Sequence, residues 1–238
     1  MMLHIKIAVV FIWFALLGSA NATTITVNPG DSIQAAIYAS NAGDSILVNG
    51  GTYYEHLNVN KPLTITGQNM PMLDATSSGC AIVVSADGVF LKGFKTINSG
   101  RWPYDGSEEA GIQVISNDCI IEGNNASNNS NGILITAGNN NTITKNIASG
   151  NLGFGIKLTH CHGNCVFENN FYRNHGGNAY ESGTNRWDNG TIGNYYGDFN
   201  SSEQRCTNAN DNGICDFSRA IPGGSSIDSH PSIYPLNF

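Results

Sequence analysis

Charge is scarce in this chain. Only 12% of its 238 residues are Asp, Glu, Lys or Arg, and the formal net charge is −7. No Lys/Arg cluster is available to displace the counterions of a nucleic acid, which argues against such a partner. Long apolar runs are also scarce. The one that exists spans residues 7–17, after a weakly basic start with His4 and Lys6. It is shorter than the roughly 20 residues that cross a bilayer. It leads into Ala20-Asn21-Ala22, the small-residue pattern of a secretory cleavage site. Residues 1–22 are therefore expected to be a signal peptide, with a retained anchor as the alternative. The mature chain would start at Thr23 with no transmembrane anchor. It is expected to be secreted, extracellular or on the cell surface.

What is abundant is asparagine, 32 residues, densest between Asn117 and Asn170, together with 28 glycines. Such a composition can mean disorder. Here, however, apolar residues return at a fixed spacing. Gly-Ile-Gln-Val at 111–114, Gly-Ile-Leu-Ile at 132–135 and Gly-Ile-Lys-Leu at 155–158 recur at intervals of 21 and 23. A second short strand follows each, at 120–124, 142–146 and 165–169. An earlier copy is visible at 81–84 and 90–94, and a degenerate one is expected near Asn178. The period of two within each strand points Ile112, Val114, Ile133, Ile135, Ile156 and Leu158 inward. Gln113, Leu134 and Lys157 point outward. One such repeat cannot bury its own inner face, whereas stacked coils about 4.8 Å apart can. Asn124, Asn146 and Asn169 fall at one turn, where Asn tolerates left-handed geometry and can bond to its equivalents above and below.

The expected fold is all-β, a right-handed parallel β-helix of roughly 22-residue coils over residues 44–184. An open stack end invites pairing with other chains, so both ends need covers. Asp31-Ser32-Ile33-Gln34 reads as a capping box opening a cap helix over 31–42. Residues 185–238 lose the repeat and read as the second cap. Six cysteines follow the leader. Export permits disulfides. Cys206 and Cys215 bracket a short polar loop and form the favoured pair. Cys161 with Cys165 is a second candidate, and Cys80 with Cys119 is what remains.

Several stretches resemble known proteins. Ser-Ile-Gln-Ala-Ala-Ile at 32–37, Gly-Asp-Ser-Ile-Leu-Val at 43–48, Gly-Thr-Tyr at 51–53 and Lys-Pro-Leu-Thr-Ile at 61–65 resemble the opening of pectin-lyase-like right-handed β-helix proteins. The Asn-rich coils resemble the carbohydrate-binding and sugar-hydrolase β-helices, and the β-helix of NosD, a periplasmic protein linked to copper-site maturation. Residues 187–198 and 211–216 are similar to the closing segment of surface proteins of that group. The resemblance implies the fold and leaves the activity open, because one fold hosts many.

Chemistry can sit at four places. An inserted loop over 101–109 interrupts the repeat, and insertions of this kind wall the substrate groove in β-helix enzymes. Trp102 and Tyr104 could stack on a sugar, with Arg101 and Asp105 binding hydroxyls beside them. Glu108 and Glu109 could act as an acid/base pair, with Lys157 as the base on the wall. The Asp-Asp, Gly-His-Gly and Arg-Ile-Lys signatures of polygalacturonase-like enzymes are missing, and the outward positions form no acidic ladder. His160 and His162, interleaved with Cys161 and Cys165, are candidate copper or zinc ligands. Asn208, Asn210, Asn212 and Asp216 outline a calcium loop whose expected carboxylates are largely amides, so binding should be weak. Calcium is thus the one cofactor suggested, and none is required. The favoured expectation is a non-catalytic module that binds a polysaccharide or glycan surface, or serves as a structural part of the envelope. A lyase or hydrolase requires Lys157 and the 101–109 loop to share one face with an acidic group within a few ångströms. Copper handling requires accessible imidazoles or thiols.

Overall fold

The computed structural model describes residues 22–100, 108–204 and 206–238. Most of the leader, and Arg101, Trp102, Tyr104 and Asp105, lie outside the described residues.

The chain is a parallel β-helix with three walls. Wall A stacks Leu57–Val59, Ile82–Val84, Ala110–Val114, Asn131–Thr136, the first half of Phe154–Phe167, and Gly177–Arg186. Wall B stacks Thr24–Val27, Ser45–Val48, Thr64–Gly67, Phe90–Lys92, Ile120–Glu122, Thr142–Thr144 and the second half of Phe154–Phe167. Wall C runs from Thr52–Tyr53 to Tyr195–Tyr196 in seven strands. All pairings within the walls are parallel. The register follows the sequence repeat, with Ile112 opposite Ile133 and Ile133 opposite Ile156. The inward column Ile82, Ile112, Ile133, Ile156 is fully buried, so each coil closes the core of the one below.

The asparagines form three ladders at the corners. In the first, the backbone N–H groups of Asn124, Asn146 and Asn169 donate to the Oδ1 of Asn146, Asn169 and Asn194, at 2.9–3.1 Å. The second links Cys119, Asn141, Asn164 and Asn185, and the third links Ser99, Asn129, Asn151 and Asn174. Each carboxamide accepts from the coil below while its Nδ2 donates to backbone carbonyls, which satisfies buried groups that sheet pairing leaves open at a corner. One expectation needs correcting. The ladder asparagines are not the left-handed residues; the positions before them are, namely Gly123, Lys145 and Glu168 with φ of 63°, 58° and 55°. A β-carbon in that region costs about 1–2 kcal/mol. Lys145→Gly is therefore expected to raise stability by up to about 1 kcal/mol, since glycine adds back some unfolded-state entropy. A lower denaturation midpoint would contradict that assignment of strain.

These three ladders pass donors upward, so the last member of each needs an acceptor. The first ends on a buried carboxylate, Asp228, which accepts from Asn194 N (2.8 Å). The second ends on Ser226 Oγ, which accepts from Asn185 N (3.2 Å), while the buried Glu181 accepts from Asn185 Nδ2 (3.1 Å) and Trp187 Nε1 (2.9 Å).

The cap helix covers Ile33–Ala39 and lays Ile33, Ala36 and Ile37 on the first coil. Ser32 caps it through Ala35 N, as a capping box requires. Asp31 and Gln34, however, do not close the box: Asp31 Oδ2 accepts from Asn28 N and Gln34 Oε1 from Asn58 N. The carboxylate at the helix start is Glu55 from the first coil, which accepts from Ile33 N, Gln34 N and Ser32 Oγ. At the other end Lys61 donates to the carbonyls of Ile37, Tyr38 and Ser40 at 2.6–3.0 Å. A helix this short is marginal alone. Here opposite charges from the barrel fix both ends in the sense its dipole favours. Glu55→Gln and Lys61→Met should each cost about 1–2 kcal/mol in urea unfolding with an unchanged m-value.

At the far end the chain closes with the Cys206–Cys215 disulfide and the Arg219–Asp198 pair, in which Arg219 lies 4.1 Å from the Tyr196 ring centroid. The other four cysteines are free. Cys161 points into the barrel and Cys165 toward the outside of the same strand, which puts the two thiols on opposite sides of the wall. Burial pushes the Cys161 thiol up to about 11.

Candidate functional site

Register places Asn58, Val83, Gln113, Leu134, Lys157 and Tyr180 in one outward column of wall A. Leu134 faces outward yet is only 1% exposed, because this part of the wall is roofed. The roof is an ion pair: the Lys157 ammonium donates to Glu108, at the root of the inserted loop. The pair bridges from the start of the Ala110–Val114 coil to the coil two further on. Lys157 also sits beside the paired rings of Phe154 and Tyr180, 5.6 Å from each centroid, and those rings pack on each other with centroids 5.3 Å apart. Beside the pair lies an open cleft of about 420 Å³, lined by Gln113, Leu134, Thr136, Thr159 and His160.

The structure therefore brings Lys157 and Glu108 together on one face, as a catalytic reading requires. Glu109 does not join them. Its carboxylate occupies the space that a side chain at Gly100 would need, and its Oε2 is buried without a hydrogen-bond partner among the described residues. Phe154 and Tyr180 were not among the sequence candidates, and His160 was one only as a copper or zinc ligand. Tyr180 lies one 23-residue repeat after Lys157, so the repeat itself carried that signal.

The other candidates lie apart. His160 and His162 are both exposed and flank the buried Cys161. No group of three or more His, Cys, Asp or Glu side chains among the described residues is placed to hold a metal ion. In the 208–216 loop, Asp216 accepts from Thr207 Oγ1 (2.7 Å) and Ala209 N (2.9 Å). Asn208 Oδ1 accepts from Asn212 N, and Asn212 Oδ1 from Ile214 N. These oxygens bond to the loop's own groups, and the N–H and O–H donors hold the Asp216 carboxyl below its usual range.

Among the described residues, no helix is long and apolar enough to cross a membrane. A pectate lyase (Pel9A) is similar in structure, with a TM-score of 0.49 and 17% identity over 72% of this chain and 64% of the lyase. A rhamnogalacturonan lyase gives 0.48 and 14%, over 69% and 62%. The chain thus spans less than two thirds of either lyase's length, and at that similarity shared chemistry does not follow. A search of curated proteins gives no match. The sequence model of one family, described as periplasmic copper-binding protein (NosD), matches residues 16–201, most of the chain. By that match and its three-walled parallel coils, this chain belongs to the NosD family.

Proposed function

We propose that the protein is an exported, non-catalytic β-helix that binds glycan strands in the wall A cleft. The observation that carries this reading is Lys157, set against the paired rings of Phe154 and Tyr180 beside an open cleft. Ring faces offer stacking surface to a sugar, the ammonium and hydroxyls orient it, and an open trough suits a polymer passing through. The low surface charge fits a neutral or weakly charged glycan.

The Lys157–Glu108 contact favours a second reading, a polysaccharide lyase or hydrolase. In its ion pair with Glu108, the Lys157 ammonium has no free lone pair with which to act as base. With Glu109 turned away, no second carboxylate among the described residues stands beside the pair to divide acid and base roles. For the copper function in the family's description, no group of three or more His, Cys, Asp or Glu is assembled among the described residues, and copper titration of the full protein provides its test.

Incubation with neutral and uronic-acid polysaccharides, read for both retention and new reducing or unsaturated chain ends, separates these readings. Retention without new ends is expected, with about tenfold weaker retention in Lys157→Ala and Tyr180→Ala, equivalent to about 1.4 kcal/mol of binding. New chain ends that vanish in Lys157→Ala and Glu108→Ala would establish an enzyme. Retention that neither substitution changes would move the site away from this cleft.

A further inference from the structure

On wall C, register aligns Met72, Lys95, Asn125, Ile147, Asn170 and Tyr195 in one outward column. The closing segment of the chain runs down this column, across the strands. Ser232 pairs with Tyr195 at the top, and its N–H donates to Asn194 O (2.9 Å). One coil below Tyr195, Leu236 meets Asn170. Leu236 N donates to Asn170 Oδ1, and Asn170 Nδ2 donates to Leu236 O, both at 2.9 Å. Asn170 is only 4% exposed. A single fixed carboxamide thus reads the N–H and C=O of one residue, as a neighbouring strand would. That is recognition of a peptide backbone and not of a particular side chain.

The segment fills its path incompletely. A cavity of about 450 Å³ lies where Pro235 faces Tyr172 and Tyr195. Another of about 390 Å³ lies where Phe238 approaches Met70 and Asn125. Ile147 lines both, so they form one groove. Tyr234 and Phe238 remain 62% and 54% exposed. Two coils below Asn170 in the same column, Asn125 Oδ1 is buried and has no hydrogen-bond partner among the described residues. It stands where a chain lying deeper in the groove would present an N–H.

We propose that the outer face of wall C is a binding groove for an extended apolar polypeptide, and that residues 235–238 are its displaceable resident. Asn170 is the clamp, the Tyr172/Tyr195 pair receives a proline or aliphatic side chain, and the Met70–Ile147 end receives an aromatic one. The groove is separate from the wall A cleft and does not depend on the glycan reading. Among the described residues, only the paired bonds to Asn170 hold the backbone of residues 235–238, and two exchangeable hydrogen bonds release readily.

The test uses the full chain and a fluorescent peptide with the sequence of residues 230–238. Leu236→Pro removes the N–H that Asn170 reads in the resident segment and leaves the groove intact. The peptide is expected to bind Leu236→Pro at least about tenfold more tightly than the unsubstituted protein, because the resident no longer competes. Adding Asn170→Ala should abolish that binding, with circular dichroism confirming that the coils persist. No binding to Leu236→Pro at about 1 mM peptide, the weak limit of specific recognition, would overturn the proposal. So would binding that survives Asn170→Ala, or a groove that takes up neutral or uronic-acid oligosaccharides and not the peptide.

Discussion

Asn146→Ala lowers the free energy of unfolding by about 3–5 kcal/mol, as the sum of several buried groups left unpaired at about 1–3 kcal/mol each. Asn146 is fully buried in the middle of its ladder. Its Oδ1 accepts from both Asn124 N and Asn124 Nδ2, and its Nδ2 donates to Ile121 O, Thr144 O and Asn169 Oδ1. Alanine leaves the Asn124 N–H and two carbonyls without those partners, in a corner too tight for water to enter freely. Asn60 is exposed, and Asn60→Ala should change stability by no more than about 0.5 kcal/mol. Urea unfolding of both variants checks the contrast. A loss below 1 kcal/mol for Asn146→Ala, on the scale of one net hydrogen bond, would mean that the ladder merely accompanies the stacking and does not support it.

The second large effect is on pH. Asp228 is fully buried where the first ladder ends. Its carboxyl accepts from Asn194 N, Tyr196 Oη and His230 N, yet burial outweighs them and raises its pKa from 3.8 to about 6. The folded protein therefore holds this proton more tightly than the unfolded chain does. The contribution is complete below about pH 4 and is lost as pH rises to about 6. A shift of about two units corresponds to about 3 kcal/mol. The unsubstituted protein should thus lose that much stability, relative to Asp228→Asn, between pH 4 and pH 7. Asp198 and Asp216 act in the opposite sense. Their pKa values are lowered, Asp198's by Arg219 against its own burial and Asp216's by donors in its loop, so their contributions are lost as pH falls through about 4. The two windows meet at about pH 4–5 and run in opposite directions from there. Denaturation midpoints of both proteins across that range decide the matter, and a constant difference between them would show that Asp228 stays ionised.

Much of the fold could be read directly from residue spacing. The 21- and 23-residue intervals set the coil, and the alternation around Ile112, Ile133 and Ile156 set which way each strand faces. The Cys206–Cys215 pair was legible because a short loop brings its ends together by itself. The helix cap was half legible: Ser32 announced its own role, but Glu55 and Lys61 sit a full coil later in sequence, and only stacking brings them to the helix ends. The ladder was recognised while its strain was placed one residue late, because Asn is the usual left-handed residue and here it is the hydrogen-bonding one.

The candidate site divides in the same way. The sequence by itself determined that Lys157 faces outward and that an inserted loop interrupts the wall before it, because both follow from the local period. It also determined that the outward positions 113, 134 and 157 hold Gln, Leu and Lys. Only the tertiary structure decided that Glu108 reaches across a coil to Lys157 while Glu109 turns away. It also decided that the ring of Phe154 pairs with that of Tyr180 beside that lysine, and that the closing segment lies along wall C in the grip of Asn170. Tyr180 alone follows the repeat from Lys157; Glu108 and Phe154 meet it from other separations, and Leu236 belongs to a segment that has lost the repeat. A periodic pattern fixes where a residue sits on a wall, whereas packing alone fixes what its side chain touches.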